Sequence, residues 1–510
     1  MLPGKGSPIG YAKVIADHDL EVLPPHQLSS CAAVAGKQMQ SSDGREFVTY
    51  PNPYNPGPAI CDQLEFALKH EGISLEILAA LFRAVKQGPF EDELTYHIQA
   101  RPTGQNTRRL WFLYEFLTER RLPLEDVSQG NYVELLDPKR YYTARPINSR
   151  RHRVRDNLLG DVNFCPLVRR TSVLQEFEAK QLASEAVRIV ESYDEDALHR
   201  AVDYLYTKET RSSFDIEREE PSQKRAARFA SLLREIPSWD SLSKAALVQM
   251  QNVIVEDRFG ERSYRAEQNY VGESVGVGLR QHVHFVPPQP KMVPRLMRGL
   301  LSSLERMTDS AVDPIVHAAA ISFGFVFIHP FEDGNGRLHR LLIHYILSRA
   351  EFTPKGLIFP ISAIMLQRRG QYDACLESFS KPLMKLLDYT VDEMGRLSVK
   401  GKTSGFYRYV DFTRMAEDLY RWTEETIRTE FRDELDFIVR YREAREKLDG
   451  IVELPDTARN RFVQFCLQNG GHLSKGKRTK YFSALSDDEV RALEKVVQKH
   501  LMPRTRTRPG

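Results

Sequence analysis

HPFEDGNGRLHR, His329 to Arg340, sets two histidines, two acids, two arginines and an asparagine flanked by glycines within twelve residues. Its flanks fix what it must be structurally. Upstream, DPIVHAAAISFGFVFI opens with Asp313 in an N-cap position and Pro314 at the first helical position. The body of that segment is almost wholly apolar, the pattern of a helix buried on all sides. It ends near His329 and Pro330. Downstream, Leu338, Leu341, Leu342, Tyr345 and Ile346 recur at helical spacing, so a second helix begins near Gly336. The EDGNG segment between them is therefore a tight loop feeding a helix N-terminus.

Such a loop has definite chemistry. Glycine permits left-handed backbone angles and close approach of a ligand. A helix N-terminus offers unpaired N–H groups and a partial positive charge, which together make an anion site suited to phosphate. Arg337 and Arg340 are three apart, on one face of the first helical turns, and can fork onto further phosphate oxygens. Asp333 is a hard oxygen ligand suited to Mg²⁺ held jointly with phosphates. His329 stands at the loop's edge, where a base can face a reacting atom. From the residues alone this is a nucleotide-phosphate site with a metal and a general base. Each part has a plainer reading: a structural histidine, an ordinary Asp-Gly turn, two solvated arginines. Their conjunction outweighs these. With no strand before it and no Lys-Ser/Thr in it, the string is not a P-loop.

Outward from this loop, the 510 residues suggest about three domains. A hydrophobic share of 41% with 28% charged residues is that of ordinary globular protein, and a net charge of +3 implies neither nucleic acid nor an acidic partner. The five cysteines are scattered and have no C-x-x-C spacing, which argues against a disulfide framework and against a zinc site, and for a reducing cytosol. The N-terminus lacks the pattern of a signal peptide, and no stretch approaches the length of a membrane span. Residues 1–150 read as an α-rich unit with small strands and Pro/Gly/Asn-rich loops. Residues 151–237 are helix-rich, 238–400 hold the motif, and 401–510 carry long charged helices. In that last part Lys475, Lys477, Arg478 and Lys480 adjoin Tyr481 and Phe482. Such a cluster can touch nucleic acid in a winged-helix-like module, although a solvated basic face is the plainer reading. The following SDDE opens like a capping box. The tail MPRTRTRPG is expected to fray. His282 and His284, in HVH, alternate as metal ligands can, but with no third ligand in view.

The opening string resembles the signature of Fic-domain proteins, H-x-F-x-D/E-G-N-G-R-x-x-R, at every specified position: His329, Phe331, Asp333, Gly334, Asn335, Gly336, Arg337 and Arg340. The resemblance extends over about residues 165–400, where YRAEQNYVGES and HFVPPQPKMVPRLM resemble the family's flap hairpin and the segment after it. It implies a mainly α protein: a Fic-type helical core with a short β-hairpin flap, flanked by an N-terminal domain and a C-terminal helical domain. It also implies transfer of AMP from ATP to a Tyr, Ser or Thr hydroxyl of a target protein in the cytoplasm, away from membranes, with homo-oligomerisation left open. By resemblance, His329 takes the hydroxyl proton and Asp333 holds Mg²⁺. Gly334, Asn335 and Gly336 cradle phosphate, Arg337 and Arg340 bind the departing pyrophosphate, and Phe331 anchors the loop. The flap residues Tyr264, Arg265, Asn269, Tyr270, Val271 and Gly272 pair with the target backbone as an added strand.

Many relatives carry an inhibitory Ser/Thr-x-x-x-Glu-Gly/Asn helix whose Glu pairs with the second motif arginine. Ser213 and Glu217 fit this best, ahead of Ser172 with Glu176 and Ser231 with Glu235. The residue after Glu217 is Arg218 rather than Gly or Asn, which predicts a weaker clamp with Arg218 as a rival partner for Glu217. Near the expected nucleobase pocket the chain has Tyr372-Asp373 and Ser380 where relatives have a Tyr-Tyr pair and a later Asn; Tyr372 is the candidate lining residue. Two other readings stay open. One is a nucleotide-binding regulator or antitoxin-like protein of this fold, which would not need His329. The other is a bifunctional enzyme that also removes AMP.

Overall fold

The computed structural model describes residues 6–502 apart from 43, 276–279 and 402; residues 503–510 of the basic tail lie outside the described residues. Helices dominate, as expected, and the strands form small sheets. The N-terminal part begins with a four-stranded sheet in the order β1-β2-β4-β3, made of β1 (Ser7–Ile9), β2 (Gln27–Ala32), β3 (Gln38–Ser42) and β4 (Arg45–Pro51). β2 and β4 pair in parallel, with β3 antiparallel on the outer side of β4. Helices α1 (Tyr11–Asp17), α2 (Ile60–His70), α3 (Leu75–Ala84), α4 (Gln87–Ala100) and α5 (Gln105–Thr118) follow the chain around it. Ser74 caps α3 by accepting from Ile77 N, and the run LEILAALF behind it is buried all round. A small sheet, β5 (Val133–Glu134), β6 (Ile147–Ser149) and β7 (Val154–Asp156), closes this part. Its apolar core, centred on Leu64, Leu78, Leu110 and Trp111, also takes in Leu167 and Tyr409, which ties it to the helices beyond.

Those helices are α6 (Ser172–Ala179), α7 (Leu182–Glu191), α8 (Glu195–Ile216), α9 (Gln223–Glu235), α10 (Lys244–Ile254) and α11 (Val293–Asp309). They are followed by α12 (Pro314–Ile328), α13 (Asn335–Arg349), α14 (Ile361–Gln367), α15 (Arg369–Met384), α16 (Ser404–Arg408) and α17 (Thr413–Thr426). Their shared core is the largest in the molecule. At its centre lies α12. Asp313 caps it by accepting from the backbone N–H groups of Ile315 and Val316, and nearly every residue to Ile328 is buried. Each buried Phe or Ile there contributes about 1.5–3 kcal/mol, so α12 is a fixed post for whatever its C-terminal end carries. It packs against α11, α13 and α17.

The hairpin sits further along the chain than expected. β8 (Val271–Val275) pairs antiparallel with β9 (Arg280–Phe285), with a bulge between Val271 and Gly272. Residues 264–270 lie before it, outside any strand. Of the six candidate target-pairing residues, only Val271 and Gly272 are in the hairpin.

Helix α17 runs on through a π-helical stretch, Ile427–Phe431, into α18 (Arg432–Asp449). The far end of α18 supplies Ala444 and Leu448 to a separate small core with α19 (Asp456–Gln468), α20 (Lys475–Tyr481) and α21 (Asp487–His500). Ser486 and Glu489 form the full capping box on α21. No strand occurs among the described residues of this unit, so the winged-helix expectation is not met. Gly470 and Gly471, both at positive φ, turn the chain from α19 directly towards α20 rather than starting a hairpin. The basic cluster is partly consumed internally: Lys477 lies 4.0 Å from the centroid of the Phe465 ring, and Arg478 pairs with Asp487. All five cysteines are free and buried. Among the described residues, no helix is long and apolar enough to cross a membrane.

Candidate active site

The loop between α12 and α13 is built by its own side chains. His329 ends α12 in the left-handed region, φ 51°, which swings the chain out of the helix. Asn335, buried at the start of α13, holds the loop closed. Its Oδ1 accepts from Phe331 N at 3.1 Å and its Nδ2 donates to Phe331 O at 2.7 Å. Gly334 has φ 89°, a conformation L side chains rarely adopt, and caps α13, which starts at Asn335, one residue earlier than the periodicity predicts. Phe331 is fully buried and touches the rings of Tyr264 and Phe325.

His329 Nδ1 lies 3.1 Å from Val326 O. A hydrogen bond there requires Nδ1 to donate, which leaves Nε2 as the lone-pair nitrogen. Burial pushes the imidazole down to about 4, so it is neutral at pH 7 and free to accept a proton. Asp333 accepts from Gly334 N at 2.5 Å and from Arg337 Nη2 at 2.9 Å, while its side chain keeps 45% of its surface. A half-exposed carboxylate beside a helix N-terminus fits a Mg²⁺ ligand shared with phosphate.

Arg340 is almost completely buried. Its Nε donates to Ser213 Oγ at 2.9 Å, and its Nη2 donates to Ser213 O at 2.8 Å and to Glu217 Oε1 at 2.7 Å. Glu217 also lies against Gly336, where a Cβ would collide with its carboxylate. The Glu217 carboxylate therefore occupies the first turn of α13, the place where a helix N-terminus holds an anion. Burial alone would raise the Glu217 pKa, but Arg340, with smaller help from Arg337 and His329, outweighs it and holds the carboxyl below its usual range. Ser231 and Glu235 instead bond to each other on the surface, and Glu176 is exposed. Arg218 is exposed at φ 57°, in the left-handed region. It is not a rival for Glu217: the position demands a positive φ, and the backbone turns its side chain outward. Arg218 adopts this left-handed turn with strain that Gly or Asn would not carry.

A second acid, unannounced by any motif or spacing, sits on the other arginine. Arg337 pairs with Glu219 at 3.0 Å as well as with Asp333. Glu219 in turn holds Arg225 at 2.6 Å. Among the described residues, Arg340 Nη1 and Arg337 Nε have no hydrogen-bond partner by strict geometry, and the Tyr372 phenol lies close enough to Arg340 to interact with it. Unspent buried guanidinium donors are what further phosphate oxygens would use. Tyr372 itself is buried, stacked on His339 and edge-on to Trp422, so it supports the arginine from below.

The segment before the hairpin braces this loop. Arg265 Nε donates to His329 O at 2.8 Å, its Nη2 to Pro288 O at 2.5 Å, and its backbone N to Pro330 O at 2.8 Å. Asn269 Nδ2 donates to Phe331 O at 3.1 Å, and Tyr264 packs on Phe331. These side chains hold the loop, a role that the sequence reading did not assign to them. Glu261 and Gln251 complete the brace: Glu332 N donates to Glu261 Oε1 at 2.8 Å, and Glu261 N donates to Gln251 Oε1 at 3.1 Å.

Residues 241–347 match the model of the Fic/DOC family. Over 112 residues the chain is 33% identical to a protein adenylyltransferase, fic-1, of Caenorhabditis elegans, a match covering 22% of this chain and 18% of that protein. It is 29% identical over 183 residues to the protein adenylyltransferase Fic of Drosophila melanogaster, covering 35% of this chain and 32% of that one. The matched part is thus a third or less of each relative's length. Among solved structures, a Fic-domain signalling protein from Bacteroides thetaiotaomicron matches with a TM-score of 0.37 at 17% identity, over 51% of this chain and 95% of that one. A Fic-1 structure from C. elegans matches with a TM-score of 0.33 at 16% identity, over 70% and 96%.

Proposed function

We propose, from a chain whose residues 241–347 match the Fic/DOC family, that the protein transfers AMP from ATP to a hydroxyl side chain of another protein, and that Glu217 holds this activity back. The observation that carries the reading is the convergence of a neutral His329, the loop closed by Asn335 and two buried arginines on the N-terminus of α13, with a carboxylate in the anion position.

In this reading the target hydroxyl oxygen forms a bond to the α-phosphorus and its proton passes to Nε2 of His329. The bond from the α-phosphorus to the bridging oxygen of the β-phosphate breaks, and pyrophosphate leaves. Arg337 and Arg340 hold the phosphates as charge moves onto the leaving group, and the first-turn amides of α13 stabilise the equatorial oxygens. Asp333 is the residue that would hold Mg²⁺, which when bound neutralises phosphate charge. Phosphate can use Arg340 fully only after Glu217 leaves, so ATP binding and the resting ion pair compete for one guanidinium. Catalysis belongs to residues 238–400 and restraint to 151–237. The cysteine pattern supports a reducing, cytoplasmic setting.

The test is labelled ATP with Mg²⁺ and a cell lysate. Glu217→Gly should raise labelling of target and of the protein itself above wild type. His329→Ala in that background should lower it by about 10²–10⁴-fold while nucleotide still binds, the usual cost of losing a general base. Equal labelling with and without His329 overturns the transferase reading, and a Glu217→Gly variant no faster than wild type overturns the restraint.

A further inference from the structure

The flap carries a constellation that AMP transfer does not use. Glu273 on β8 stands directly opposite His282 on β9. Residues opposite one another in an antiparallel pair project to the same face. His284, two residues on, would return to that face by strand alternation alone. The bulge adds to this. Val271 pairs with Phe285 and Gly272 with Val283, so His284 is the extra residue between two successive rungs. A bulge re-aims the side chain it inserts.

The result is close convergence. The His282 and His284 rings meet edge to face with centroids 4.5 Å apart. His282 Nδ1 and His284 Nε2 are 3.4 Å apart, and His284 Nε2 is 3.6 Å from Glu273 Oε1. The three donor atoms all lie within 4.8 Å of one another. A tetrahedral Zn²⁺ with bonds of about 2.0–2.1 Å separates its ligand atoms by about 3.3 Å, so two of the three spacings already match a bound ion. The His284 and Glu273 side chains are 46% and 60% exposed, which leaves the donors open to solvent and to an incoming ion.

We propose that the flap hairpin binds a divalent transition metal of the zinc class through Glu273, His282 and His284. The donor set decides the class. Two imidazoles and one carboxylate suit zinc and its neighbours, whereas Mg²⁺ and Ca²⁺ demand oxygen. The proposal runs against the expectation of no zinc site, which rested on cysteine spacing, and supplies the third ligand that HVH lacks in sequence. With ligands from both strands, the ion clips β8 to β9. Three protein ligands leave a tetrahedral position for water or for a donor from a docking protein.

The experiment is calorimetric titration of untagged full-length protein with Zn²⁺, with Co²⁺ as a visible-spectrum probe of tetrahedral coordination. One ion per chain and a tetrahedral Co²⁺ spectrum are expected. Glu273→Gln, which keeps size and polarity, and the paired His282→Asn, His284→Asn change should each weaken Zn²⁺ binding at least about tenfold, because even partners behind the ligands cost 10–100-fold when lost. Zn²⁺ binding that neither variant weakens, or none in the wild type, leaves only a surface ion pair between Glu273 and His284 and overturns the proposal.

Discussion

At the scale of single residues, the site is a contest for two guanidiniums. Glu217 keeps 34% of its side-chain surface, so its pair with Arg340 is partly screened by water and contributes on the order of 1 kcal/mol. Glu219, 33% exposed, grips Arg337 in the same way. Replacing Glu219 by Gln should therefore free Arg337 and lower the KM for ATP about two- to fivefold, the equivalent of roughly 0.4–1 kcal/mol. Steady-state kinetics in a Glu217→Gly background would read this directly, and an unchanged KM would show that Glu219 yields at no cost. Arg218 poses a separate question. Its φ of 57° is strained for a long side chain and easy for Asn. Arg218→Asn should raise stability by about 0.5–1 kcal/mol, seen as a higher denaturant midpoint at unchanged slope. Glu217 was legible only through the resemblance, since the same Ser-x-x-x-Glu spacing recurs at Ser172 and Ser231. Glu219 was not, because its partner lies far along the chain and only the fold brings them together.

Among the elements, α12, the loop and α13 form one device. Asp313, Pro314 and the apolar run between them and His329 announce a buried helix from sequence alone, since capping and burial are local signals. Within the device Asn335 matters through both of its hydrogen bonds to Phe331. Asn335→Ala leaves the Phe331 N–H unpaired, at about 1–3 kcal/mol before water enters, while Phe331 O keeps the bond from Asn269 Nδ2. Thermal melting should drop by several degrees, and kcat should fall more than nucleotide affinity, because a misplaced loop misaligns attack. A variant with wild-type kcat would show that the loop is held by the Arg265 brace instead. That brace was illegible: Arg265 is an ordinary exposed-looking residue until its contacts with the carbonyls of His329 and Pro288 are seen. The hairpin's start was placed too early because it was carried over by resemblance, and residues 264–270 instead hold the loop.

For the whole molecule, burial has set two cores against each other in pH. Burial holds His317 and His339 down to about 3 and His329 down to about 4, all in the large helical core. An imidazole whose folded pKa lies below its ordinary value of about 6.5 takes up a proton on unfolding. Its contribution to stability is present above about pH 6.5 and is lost as the pH falls towards the folded values. In the N-terminal core burial pushes Glu71 up to about 7 and Glu76 up to about 8. Their contribution is present below about pH 4.5 and is lost as the pH rises through 7 to 8; His26, held down to about 4, opposes them there. Amide exchange should therefore speed up in α12 and α13 on going from about pH 7 to about pH 5, after correction for intrinsic rates, while α2 and α3 change less. Equal loosening of both regions would contradict these assignments. The mainly helical class was readable from periodicity, but the parallel pairing of β2 with β4 was not, because a non-local rung leaves no mark on either strand.

The continuous run from α17 through the π-helical stretch into α18 has a mechanical consequence. Helix α8, which ends next to Glu217, is tied to that run along its length. Lys208 bonds Glu430 and Glu434, Tyr193 just before α8 donates to Asp436 at 2.5 Å, and Asp194 at its N-cap meets Arg442 at 2.8 Å. The same shaft carries the small C-terminal core at its far end. Residues 456–502 thus hang from the same shaft to which the helix leading to Glu217 is ion-paired, so a partner seated on the C-terminal core pulls on the element that places that carboxylate.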